Sequence, residues 1–189
     1  MRGAWLAPLH GLNRCILRRV TGSDDRVLTP EECAERARAA AALVDVSALD
    51  RTGPGEAVLL WRDAHSEAWL NLWWQPRDTG YHDHDGSAVG VYVIEGRAWN
   101  EPLVVGTPRQ VREYGPGDSF SFPGAGIHRM DHEPGAITIH VYSPPLRAIG
   151  HYELEDGELR RQSGPPDHPS AASPELLARL DAAGDAVAT

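Results

Sequence analysis

His82 and His84 bracket a single aspartate. On an extended chain, residues two apart project to the same side, about 6.6 Å from one another along the strand. Two imidazoles so placed can take neighbouring positions on one metal ion; an exposed polar turn is the other reading of a His-Asp-His. A second segment, Gly117 to His128, spaces a glycine, five residues, a proline and, five positions on, a histidine. A third, Ala136 to Pro145, alternates with period two, so that Ile137, Ile139 and Val141 take one face and Thr138, His140 and Tyr142 the other. A hydroxyl, an imidazole and a phenol in line can form a hydrogen-bond chain in which His140 orients the phenol.

Together and in this order, the first two segments resemble the two sequence motifs of the cupin superfamily. The resemblance implies a mostly-β chain, a jelly-roll barrel of the double-stranded β-helix type, with a metal held by His82, His84 and His128. Most metal cupins add a glutamate ligand a few residues after the histidine pair, and the run Asp85 to Gly90 contains none. Asp85 itself is expected to point to the opposite face. Three neutral imidazoles leave the charge of a divalent ion uncompensated, which favours an anionic substrate ligand such as a thiolate. Imidazole suits iron, and three protein ligands leave coordination positions open.

With the third segment included, the chain resembles the type I cysteine dioxygenases over Thr29 to Leu154. That family implies Fe(II) as cofactor, O2 as co-substrate and a small thiol oxidised to its sulfinic acid. Tyr142, His140 and Thr138 would form the catalytic relay, with Thr138 standing where the family has serine. Val89 or Gly90 stands where animal members carry a cysteine linked to the tyrosine, so Tyr142 is expected to be unmodified. Arg62 is the candidate for the arginine that holds a substrate carboxylate; a surface salt bridge with Asp63 or Glu67 is the alternative. The thiol is cysteine or a relative such as 3-mercaptopropionate or ergothioneine. From another class, a non-catalytic metal-binding cupin shares the first two motifs. His132 is expected in a solvated turn beside Asp131 and Glu133, and His10, His65, His151 and His168 carry no assigned role. Trp69, Trp73, Trp74, Tyr81, Tyr92 and Trp99 are expected mainly in the barrel core, with one or two walling the pocket.

The elements that must position these groups are legible in part. Thr29-Pro30-Glu31-Glu32 opens a helix, with threonine as N-cap, proline at the first helical position and glutamate three residues after the cap. Its stripe of Cys33, Ala37, Ala40, Ala41 and Val44 predicts a helix to about Leu43. Strands are predicted over Val58–Trp61, Trp69–Gln75, Gly90–Ile94, Ser119–Phe122 and Ala136–Tyr142, with turns at Glu95-Gly96 and Asp156-Gly157 and a stop at Pro144-Pro145. The expected organisation is a helical segment over 1–50 packing on the barrel, the barrel over 51–161, and a Pro/Ala-rich tail over 162–189 with a short helix at Pro174–Leu180.

Composition narrows the classes further. The 189 residues are 41% hydrophobic, enough for one cored domain. All 18 basic residues are arginine, which excludes Schiff-base lysine chemistry and a Walker A loop. A net charge of -9 gives no footprint for nucleic acid and repels anionic membrane surfaces. Breaks at Pro8, Gly11, Asn13 and Arg14 keep Trp5 to Leu17 from reading as a signal-peptide core or membrane span. Cys15 and Cys33 read as buried structural thiols, and a reducing cytoplasm is the expected compartment. A monomer or homodimer is expected, with the C-terminal tail as the candidate dimer contact.

Overall fold

The computed structural model describes residues 26–162, apart from 54, 76, 105, 156 and 157. Cys15, His10, His168, the Asp156-Gly157 turn and the Pro174–Leu180 segment lie outside the described residues. The first element is α1 (Pro30–Ala41), opened by the expected capping box: the Thr29 hydroxyl accepts from the Glu32 backbone, and Glu32 accepts from the Thr29 N–H at 2.8 Å. Helix α1 stops two residues short of Leu43, and its buried stripe is Cys33, Ala37 and Ala40.

The strands follow as β1 (Ala57–Arg62), β2 (Glu67–Trp73), β3 (Arg77–Asp78), β4 (Tyr81–Asp83), β5 (Ala88–Glu95), β6 (Ala98–Pro102), β7 (Arg112–Tyr114), β8 (Ser119–Phe122), β9 (His128–His132), β10 (Ala136–Ser143), β11 (Gly150–Glu155) and β12 (Glu158–Arg161). They form two antiparallel sheets. One has the order β1-β2-β10-β5-β8; the other runs β12-β11-β4-β9-β6-β7, with β3 alongside β9. The nested orders 2-10-5-8 and 4-9-6-7 are those of a jelly roll, the cupin-type barrel expected from the sequence.

Strand β10 shows why the chain folds this way. Its helix-facing residues Ile137, Ile139 and Val141 join Leu70, Leu72, Cys33, Ala37 and Ala40 in one core. Tyr142, on the opposite face, belongs to a second core with Trp69, Val89, Val91, Val93 and Phe120, closed from the other sheet by Ala98 and Met130. The period-two alternation thus divides the strand between two interiors. Helix α1 lies so close to β5 that a Cβ built on Gly90 would fall 2.0 Å from the Ala34 nitrogen.

Strand β1 carries an irregularity that matters below. Leu59 pairs with Trp69 and Trp61 with Ala68, leaving Leu60 as an extra residue. Leu59 joins the barrel interior, while Leu60 and Trp61 both pack on the helix side. Such a bulge shifts the phase of everything after it, so that Arg62 returns to the row of Glu67.

Candidate metal centre

His82 sits in β4 and His128 opens β9, and the two are direct cross-strand partners. His84 follows one residue after β4 ends. One ligating nitrogen from each of the three lies within 4.8 Å of the others, and all three side chains are buried. Their orientation is set from behind. The Nδ1–H of His82 donates to the Gly80 carbonyl at 3.0 Å, and that of His128 to Asn100 Oδ1 at 2.8 Å, which leaves each Nε2 lone pair facing the centre. The Nε2 atoms of His84 and His128 stand 3.5 Å apart.

Local backbone chemistry explains the placement. The intervening Asp83 points to the outer surface, where its carboxylate accepts from the backbone N–H groups of Asp85 and Gly150 and from the Tyr152 hydroxyl. Asp85 is exposed and takes a left-handed conformation (φ 49°), turning the chain into β5. The two motif-bearing loops touch: a Cβ on Gly124 would lie 2.2 Å from the carbonyl carbon of Gly86.

Burial keeps His82 and His128 neutral, the form a metal requires. It lowers His82 to about 4, and it holds His128 well below the usual histidine range, with the neighbouring imidazoles adding to the shift. Three uncharged nitrogens converging in a buried space, two of them fixed in tautomer, are a donor set that fits a divalent transition metal. The same burial has a pH signature. An unfolded histidine titrates near 6.5, whereas folded His82 takes a proton only near 4. Between these values the unfolded state binds more protons, so stability falls as pH drops. Metal-free protein is expected to lose about 1.4 kcal/mol per pH unit for each such site across that window. Urea denaturation at pH 7, 5.5 and 4.5 measures this, and a flat profile would contradict buried neutral histidines.

Beside the triad lies the inward face of β10. The Tyr142 ring is 5.4 Å from that of His84, and its hydroxyl is 3.1 Å from His140 Nδ1. Burial, followed by the nearby charge of Glu67, raises the Tyr142 hydroxyl well above its ordinary value, so the phenol keeps its proton. The Thr138 hydroxyl accepts the Trp73 indole N–H at 2.9 Å. Val89 is the cross-strand partner of Tyr142.

Arg62 lies 3.1 Å from Glu67, the ion pair given as its alternative role. This is no surface bridge: the Glu67 side chain is 0% exposed and Arg62 20%. Glu67 Oε1 also accepts the Leu146 backbone N–H at 3.1 Å.

The expectation for His132 changes, and that for the aromatics changes in part. His132 is buried rather than solvated, stacked on Trp73 at 3.7 Å, because β9 runs on through it and period two puts His128, Met130 and His132 on one face. His151, assigned no role, is the cross-strand partner of His82, with rings 6.3 Å apart. Of the six aromatics, Trp69 is core and Trp73 lines the interior; Trp74 and Tyr92 pack under α1. Tyr81 and Trp99 are half-buried; Tyr81 bonds to the buried Glu101 and Trp99 to the exposed Glu113. Asn100 was not anticipated, and Glu67 only as the partner in a surface bridge. Glu67, Trp69, Asn71 and Trp73 do alternate along β2, a signal for Glu67; nothing in Trp-Asn-Glu marks Asn100.

No helix among the described residues is long and apolar enough to cross a membrane. No protein-family model matches the chain, and no curated protein matches it. Among solved structures, KdgF from Halomonas sp. is similar over 51% of this chain and 84% of its own, at 21% identity and a TM-score of 0.43. An RmlC-like cupin from Desulfovibrio desulfuricans matches 49% of this chain and 84% of its own, at 15% identity and a TM-score of 0.41. A single-substitution variant of the oxalate decarboxylase of Bacillus subtilis matches 47% of this chain and 24% of its own, at 20% identity and a TM-score of 0.40. The assignment of the fold rests on the strand order, which makes the chain a cupin-type jelly roll with three buried histidines able to hold a metal ion.

Proposed function

We propose that the chain is an iron-dependent thiol dioxygenase, converting a small thiol and O2 into the sulfinic acid. The observation that carries this reading is the Tyr142–His140 pair set beside three neutral, carboxylate-free imidazoles. Fe(II) held by His82, His84 and His128 would supply Lewis acidity toward a thiolate and reactivity toward O2. The rest falls to the protein. The three histidines contribute no negative charge, so the site favours an anionic sulfur ligand. Tyr142 stays protonated and offers one hydrogen bond toward the reacting groups, its direction governed by His140. Trp69, Phe120 and Phe122 exclude water from that bond. Both oxygen atoms end on sulfur, so no external reductant is needed.

Oxygen uptake by protein loaded anaerobically with Fe(II) tests this, against cysteine, 3-mercaptopropionate, cysteamine and ergothioneine, with the product identified by mass. A product heavier by two oxygen atoms is expected with at least one thiol. Stoichiometric iron without uptake for any of them would move the assignment to a binding cupin. Tyr142→Phe is expected to keep its iron and lose about 100-fold or more in turnover; unchanged turnover would remove Tyr142 from the mechanism.

A further inference from the structure

The first sheet carries an interior row that faces the histidine triad: Arg62, Glu67, Tyr142, Val89 and Phe122 are successive cross-strand partners. The far members touch the site directly, Tyr142 against His84 and Phe122 against His128 at 4.4 Å between rings. The near members are the ion pair. Glu67 is fully buried, and its carboxylate meets Arg62 on one side and the Leu146 N–H on the other.

We infer that Glu67 is a specificity-determining residue: by answering the charge of Arg62 it selects thiols that carry no carboxylate, with aminothiols as the favoured class. This rests on the thiol dioxygenase reading. An arginine can clamp a substrate carboxylate when its fork is open and its charge is uncompensated. Here a carboxylate brought to Arg62 would also be brought beside the Glu67 carboxylate, and like charges in a poorly solvated space repel. An ammonium gains no net attraction from a closed ion pair, but Trp69, Tyr142 and Phe122 along and beside the row supply aromatic rings, which attract a cation and not a carboxylate. The bulge at Leu60 serves this arrangement, since it is what returns Arg62 to the Glu67 row.

A matched set of probes isolates the far end of the substrate: cysteamine, 2-mercaptoethanol and 3-mercaptopropionate share a two-carbon spacer from sulfur and differ in carrying an ammonium, a hydroxyl or a carboxylate. Binding is measured by anaerobic calorimetry on Fe(II)-loaded protein, where no turnover occurs. The native chain is expected to bind in the order cysteamine, 2-mercaptoethanol, 3-mercaptopropionate, with the ends of the series about tenfold or more apart. Glu67→Gln keeps the shape and releases Arg62, and is expected to shift the cysteamine to 3-mercaptopropionate ratio toward the acid by a similar factor. Tightest binding of the acid by the native chain overturns the assignment even if the variant does not fold, as does an unchanged ratio in a folded Glu67→Gln protein. Binding of none of the three thiols overturns the thiol reading itself.

Discussion

Gly90→Ala is expected to lower the melting temperature by about 6–12 °C, corresponding to about 3 kcal/mol or more. The methyl group would sit 2.0 Å from the Ala34 nitrogen and 2.2 Å from the Cys33 carbonyl carbon. Both are backbone atoms of α1, so no side chain can turn aside to make room. The helix must lift from β5, and the core it covers, Cys33, Ala37 and Ala40 against Ile137, Ile139 and Val141, opens with it. Gly53 is the control, because a Cβ there meets nothing within 4 Å. Calorimetric melting of both variants decides the matter: equal melting points would mean that α1 is not seated on β5 as described.

The second large effect concerns the metal. His128→Ala removes one of three nitrogens and leaves Asn100 without the imidazole N–H it accepts. Loss of an orienting partner alone typically costs 10–100-fold in metal affinity, so loss of a ligand is expected to cost more than about 100-fold. Two readouts follow. Metal content after gel filtration falls from near one ion per chain to a trace. The thermal shift on adding Fe(II) also vanishes, a stabilisation worth about 2.7 kcal/mol when metal stands at 100 times its dissociation constant. Full loading of the variant would overturn the ligand assignment.

Legibility from sequence tracks how far each feature depends on its own segment. The capping box of α1 and the alternation of β10 are local, and both appear where the sequence puts them. The histidine pair is local too, but its approach to His128 depends on β4 lying against β9, separated by long stretches of chain. The second sheet is less readable. Strands such as Tyr81–Asp83 and His128–His132 are short, and their outer faces carry Asp83, Arg129 and Asp131, so the apolar half of the pattern shrinks to a few residues that are themselves histidines. For this reason His132 reads as a polar turn although it is buried. Asn100 and the Arg62–Glu67 pair depend on register between strands, which single-strand patterning does not encode. The bulge is the sharpest case, since plain alternation from Leu59 would have put Trp61 inward and Arg62 outward.

That extra residue makes β1 a counting device. Ironing out the bulge at unchanged length would restore plain alternation from Leu59, turn the arginine out of the barrel and leave a buried carboxylate without its cation. Deleting Leu60 would do the reverse, because Leu59, Trp61 and Arg62 would then alternate regularly with Arg62 still opposite Glu67. The charge balance of the interior row therefore hangs on where the strand is out of phase, more than on the side chain at position 60.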